Sequence, residues 1–209
     1  GTYQEHTVTL GYGLALAPDL SVGANVKGLF SNFVQDAYTV SDPLFQQFGY
    51  ASWGIGIDLG VLWQPLPNYR VAVTVMNVNQ PNMALSGDDR VPLIAKLGLA
   101  YRSFGMDVVV DTTYQPVNAD WRVAFGVEKW LAERSMAMRA GLVTGAREDR
   151  DLSLGATYRA EQVQLDYAFV YPLTGLSRTF GTHRLAFSVR FGEGARESDE
   201  EFSFTPMVP

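Results

Sequence analysis

Apolar and polar residues alternate with a period of two along most of the chain. From Gly54 to Trp63, the residues Ile55, Ile57, Leu59, Val61 and Trp63 share one side, and Gly54, Gly56, Asp58 and Gly60 the other. Trp121, Val123, Phe125 and Val127 oppose Arg122, Ala124, Gly126 and Glu128 in the same way. Val163 to Tyr171 and Leu185 to Phe191 repeat the pattern. Side chains of a strand project alternately to its two faces, so these are strands with one apolar face. No segment sustains the three-and-four spacing of an amphipathic helix. The pattern predicts eleven strands, near 7–16, 20–33, 54–64, 69–79, 93–103, 105–115, 120–130, 135–144, 151–160, 162–171 and 182–192. Most are about twice the usual globular length of roughly five or six residues. About ten tilted residues is what a strand needs to cross a bilayer.

The connections alternate as well. Short links at 17–19, 65–68, 104–105, 131–134 and 160–161 are separated by links at 34–53, 80–92, 116–119, 145–150 and 172–181, of which the first, second and last are long. Outer-membrane barrels are built this way, with short periplasmic turns and longer outer loops.

Composition separates this from a soluble sandwich. Hydrophobic residues make up 47% of the 209, but charged residues only 18%, below the roughly 25% of soluble proteins. The polar faces carry mostly Gly, Ala, Ser and Thr, a poor solvated surface. Trp53, Trp63, Tyr69, Tyr101, Tyr114, Trp121, Tyr158 and Tyr171 stand near strand ends, as in the aromatic girdles of a membrane barrel. The expected fold is all-β, a transmembrane antiparallel up-and-down β-barrel spanning residues 1–192, followed by an acidic periplasmic tail at 193–209. No apolar run reaches the length of a transmembrane helix. The chain has no cysteine, so neither disulfides nor thiolate chemistry enter. A net charge of -6 argues against a nucleic-acid partner.

With the apolar faces toward lipid, the strand charges point inward. These are Lys27, Lys96, Arg102, Arg122, Arg139, Arg184 and Arg190, with Asp58, Asp107, Asp111, Glu128 and Asp166. An Arg or Lys near the bilayer midplane would cost about 2–4 kcal/mol on the lipid face. Near-balanced signs suit a cross-linking network better than an ion path. Other chemistry is sparse. The acidic stretches Gly87 to Arg90 and Arg147 to Asp151 lack the ligand spacing of a calcium loop, and His6 and His183 have no triad-like context. The chain is therefore expected to be no enzyme and to hold no cofactor or metal. Gly11, Gly13, Gly54, Gly56 and Gly60 alternate within strands, which points to close backbone approach or to packing of a plug.

From Gly54 to Gly192 the succession GIDLGVLWQP, VTVMNVNQPN, VPLIAKLGLAYR, DVVVD, AFGVEKW, MRAGL, LDYAFVYP and GTHRLAFSVRFG resembles the PorV/PorQ family of outer-membrane barrels. That family is similar to the 14-stranded FadL type, and its best-known members serve the type IX secretion system. The resemblance implies a shuttle that takes exported cargo to a surface attachment complex in the bacterial outer membrane. It also implies that these eleven strands are the C-terminal part of a 14-stranded barrel. An odd strand count and a first strand entering from outside call for at least one strand upstream, and the resemblance implies three, with a plug segment and a leader.

Three functions follow as expectations: a binding and shuttle protein for exported or surface-attached protein partners, a FadL-like transporter of hydrophobic small molecules, and a structural anchor of a surface assembly. The charged lumen favours the first and third. Outer-membrane lipid is a partner of all three. Phe45, Phe48, Tyr50, Trp53 and Phe180 are the candidate partner-binding residues, lying in or beside the long outer loops.

Overall fold

In the computed structural model, residues 3–37, 39–132, 134–146, 150–174 and 180–189 are described. Eleven strands follow one another: β1 (Tyr3–Ala17), β2 (Leu20–Phe33), β3 (Ala51–Leu66), β4 (Tyr69–Met76), β5 (Ile94–Ser103), β6 (Met106–Gln115), β7 (Asp120–Leu131), β8 (Met136–Gly145), β9 (Arg150–Ala160), β10 (Val163–Pro172) and β11 (Thr182–Val189). A single turn of helix, α1 (Pro43–Phe48), interrupts the link between β2 and β3. The strands make one antiparallel sheet in chain order, with β1 and β11 as its two open edges.

Short turns close one end of the sheet, four of them of two residues and the β7–β8 link of four. Phe104 and Gly105, for instance, both have positive φ, 50° and 69°, the backbone that matches the twist of a hairpin. The opposite end carries the long links, and the two are called here the short-turn end and the long-loop end.

A sandwich would bury a core between two layers, and this sheet has none. Ala137 is the one buried hydrophobic residue among those described, whereas Leu10, Trp53, Leu59, Phe125, Leu154 and Leu165 stand exposed on a single face. The register is continuous around that face, as Leu20 pairs with Trp63 and Phe125 with Leu142. The other face is more crowded and holds the buried polar residues Lys27, Asp58, Asp107, Thr157 and Gln164. Crowding on the polar face and exposure on the apolar one is the geometry of a sheet curled with its polar face inward. An apolar band of this extent, open to the surroundings, matches the lipid-facing band of a membrane barrel.

Most strand ends fall within one residue of the alternation pattern, with three exceptions. β1 and β3 are longer, 15 and 16 residues. β4 stops at Met76 instead of continuing to 79, because Asn77 turns to φ 54° and leads the chain off the sheet. Residues 190–192 of the last expected strand and the tail 193–209 lie outside the described residues.

Candidate functional site

The inward face carries two polar networks, on different walls and at different heights. The first joins β2, β3 and the residue that ends β4. Lys27 and Asp58 form an ion pair at 2.7 Å. Lys27 Nζ also donates to Asn77 Oδ1 at 2.6 Å, and the Asn77 backbone N–H donates to Asp58 Oδ1 at 2.9 Å. Asn77 Nδ2 reaches the carbonyl of Pro92 at 2.9 Å, tying together both ends of the link between β4 and β5. Lys27, Asp58 and Asn77 are 9%, 4% and 5% exposed. Burying an ion pair this deeply is tolerable only because each group has such partners. Gly56, between them on the inward face, leaves the space: a Cβ there would meet Lys27 Cε at 3.1 Å.

The second network lies toward the short-turn end of β7 to β10. Arg139 of β8 pairs with Glu128 of β7 and reaches across β9 to Asp166 of β10 at 3.3 Å. Its path crosses Gly155, its register partner. Thr157 donates to the same Asp166 oxygen, and Gln164 donates to the other at 2.8 Å. Trp130 Nε1 donates to Glu128, and Arg159 stacks over the Trp130 ring at 4.4 Å. Beside it, Arg102 and Asp107 make a two-pronged pair at 2.6 Å within one hairpin.

Between the networks the inward face carries mostly small side chains, with Lys96, Asp111 and Arg122 as its charges. One register row runs Ala100, Val109, Gly126 and Gly141, and the next Gly98, Asp111, Ala124 and Val143. Near the β1 edge, Gly11, Gly13, Gly23, Asn25, Asp58 and Thr74 line a shallow recess of about 360 Å³.

The expected lumen charges are thus brought together in part. Asp58, Arg102, Asp107, Glu128, Arg139 and Asp166 are paired. Lys96, Asp111 and Arg122 occupy neighbouring inward positions of β5, β6 and β7 without an ion pair among the described residues. Arg184 stands inward opposite Ala168, and Arg190 lies outside the described residues. Arg70, bonded to Gln64 at 3.2 Å, and Arg159 are inward charges that the alternation reading missed, because both sit at strand ends.

The loop aromatics separate into three environments. Phe45 of α1 stacks on Tyr50 and touches Phe33, which in turn packs on Tyr3, with centroids 5.3, 5.3 and 4.7 Å apart. Phe45 and Tyr50 are therefore part of a rim cluster. Trp53 is 70% exposed on the outward face of β3, a girdle position, while Phe48 and Phe180 are exposed at the long-loop end.

No protein-family model matches the sequence, and no curated protein matches it. Solved structures do. The toluene transporter TbuX of Ralstonia pickettii superposes with a TM-score of 0.58 at 17% identity, covering 90% of this chain and 69% of that one. A FadL homologue of Pseudomonas aeruginosa gives 0.60 at 13% identity, covering 88% of this chain and 64% of its own. The fold is that of a FadL-like outer-membrane β-barrel. This chain forms an eleven-stranded stretch of such a wall, and its place is the bacterial outer membrane.

Proposed function

We propose that this FadL-like wall encloses a route for hydrophobic small molecules across the outer membrane. The observation that carries the reading is the likeness of nearly the whole chain to two FadL-type chains, one of them named for toluene transport. The inward face supports it. A lumen lined by loose charges would repel an apolar passenger, but here Lys27, Asp58, Arg102, Asp107, Glu128, Arg139 and Asp166 are held in ion pairs, while Lys96, Asp111 and Arg122 stand between them. The rows between the networks present small apolar groups such as Ala100, Val109 and Ala124. This weighs against the expectation that charge excludes hydrophobic transport. The test is uptake of labelled toluene by cells with and without the complete gene product. Faster uptake with the protein is expected, and identical rates would overturn the reading.

A second reading, the PorV/PorQ-type shuttle for exported protein, draws on the segment resemblance and on the exposed Phe48 and Phe180. Specific co-purification of a surface protein, lost on Phe48→Ser and Phe180→Ser, would favour it over small-molecule passage.

A further inference from the structure

The link between β4 and β5 does not project from the rim. Pro81 and Met83 lie against the inward side of β3, where a Cβ on Gly54 would meet Met83 Sδ at 2.8 Å and Pro81 Cβ at 3.3 Å. Ser52, the next inward residue of β3, donates to the Met83 carbonyl at 2.7 Å. Pro81 is buried. The segment is itself an ordered hairpin: Asn82 bridges Arg90, its side chain receives the N–H groups of Ala84 and Asp89, and Val91 N–H donates to the Pro81 carbonyl.

Because β4 ends early, the half of β3 from Ala51 to Asp58 has no strand on that side. Asn79 stands in for one. Its amide accepts from Ile57 N–H at 2.9 Å and donates to the Ile55 carbonyl at 2.6 Å, and Val78 N–H donates to the Ile57 carbonyl. Backbone groups that lipid could not satisfy are thereby paired. The base of the segment is held by the Lys27–Asp58–Asn77 network, with Asn77 and Gln80 both at positive φ, 54° and 43°.

We propose that residues 80–91 are an internal constriction of the barrel, latched shut by Lys27, Asp58 and Asn77, and that unlatching widens the passage. This rests on the chain being the wall of a passage, and not on which passenger uses it. The inward glycines at 54 and 56 are the seat of this segment, and Asn77 is a positioning residue that fixes its base.

The absence of cysteine allows a direct test in the complete gene product. In a Gly54→Cys, Pro81→Cys variant the two Cβ atoms lie close to the roughly 3.5–4.5 Å that a disulfide spans. Mild oxidation of the heat-modifiable, assembled protein should give the intramolecular crosslink, and its failure to form would overturn the inward placement. Asn77→Gly keeps the positive φ and the Lys27–Asp58 pair, so the barrel should assemble. In planar bilayers this variant, and one with residues 82–89 replaced by Gly-Gly, should conduct about tenfold more than the parent. Oxidising the cysteine pair in the Asn77→Gly background should restore the low level, and reduction should release it. Conductance equal to the parent in both assembled variants would overturn the latch. Toluene uptake is measured in parallel: unchanged uptake with altered conductance would sink the hydrophobic route while sustaining the latch.

Discussion

The two inward networks look alike in composition and differ in what they hold. Glu128, Arg139 and Asp166 join strands that the backbone already joins, so they reinforce a wall. Lys27, Asp58 and Asn77 join two strands to a segment that has left the sheet. Their burial differs accordingly. The Lys27 and Asp58 side chains are 11% and 6% exposed, against 15%, 19% and 18% for Arg139, Glu128 and Asp166. Yet the deeper pair lies nearer an open edge, only two strands from β1. Asn77, which bonds both members of the pair and is itself tied to Pro92, adds to that burial. A charge pair in a barrel lumen is therefore informative about function when it is drier than its place in the wall explains.

The largest effect should come from breaking the deeper pair on one side. Lys27→Met leaves Asp58, whose side chain is 6% exposed, with only amide donors, and removing one partner of a buried pair costs roughly 3–5 kcal/mol. The unfolding midpoint in urea, followed by heat-modifiability on gels, should fall accordingly. A loss no larger than that of Arg139→Met would erase the distinction drawn between the networks. Arg139→Met should cost less, about 1–3 kcal/mol, because Thr157 and Gln164 still donate to Asp166 and Trp130 to Glu128. It should also leave bilayer conductance at the parent level, since no loop hangs from that network.

Much of this wall was legible in the sequence because period-two alternation is the direct imprint of lipid on one face and crowding on the other. Ile55 to Trp63 and Leu165 to Tyr171 read correctly for that reason. The end of β4 did not, although a signal was present. Asn77 and Asn79 fall at the same parity as Val71, Val73 and Val75, so a continuing strand would have put two amides into hydrocarbon. Their cost there is what ends the strand, and the cue was overridden by the apolar run before it. The pairing of inward charges was unreadable for a different reason. Alternation assigns a face, but Arg139 reaching Asp166 depends on register across three strands and on the gap at Gly155. The seat of Pro81 and Met83 on Gly54 is a contact between segments that no local pattern encodes.

The smallest predicted effect tests whether the second network is as simple as its geometry. Arg139 crosses β9 over Gly155, where an added Cβ would lie 3.5 Å from Arg139 Cβ and 3.3 Å from the Tyr167 carbonyl. Two terms oppose each other for Gly155→Ala. Removing a strand glycine gains about 0.5–1 kcal/mol through the unfolded chain, and the tight carbonyl contact gives back a similar amount, so the net change should be near zero. Gly155→Val adds methyl groups in the path of the guanidinium and should detach it from Asp166, the longer of its two contacts. The expected loss is about 1 kcal/mol, the worth of one such hydrogen bond. The decisive comparison is a double-mutant cycle. If the valine acts by displacing Arg139, its cost should vanish in the Arg139→Met background, because the two substitutions then remove the same interaction. An undiminished cost would locate the damage in the Tyr167 backbone instead, and the network would be less dependent on the glycine than its path suggests.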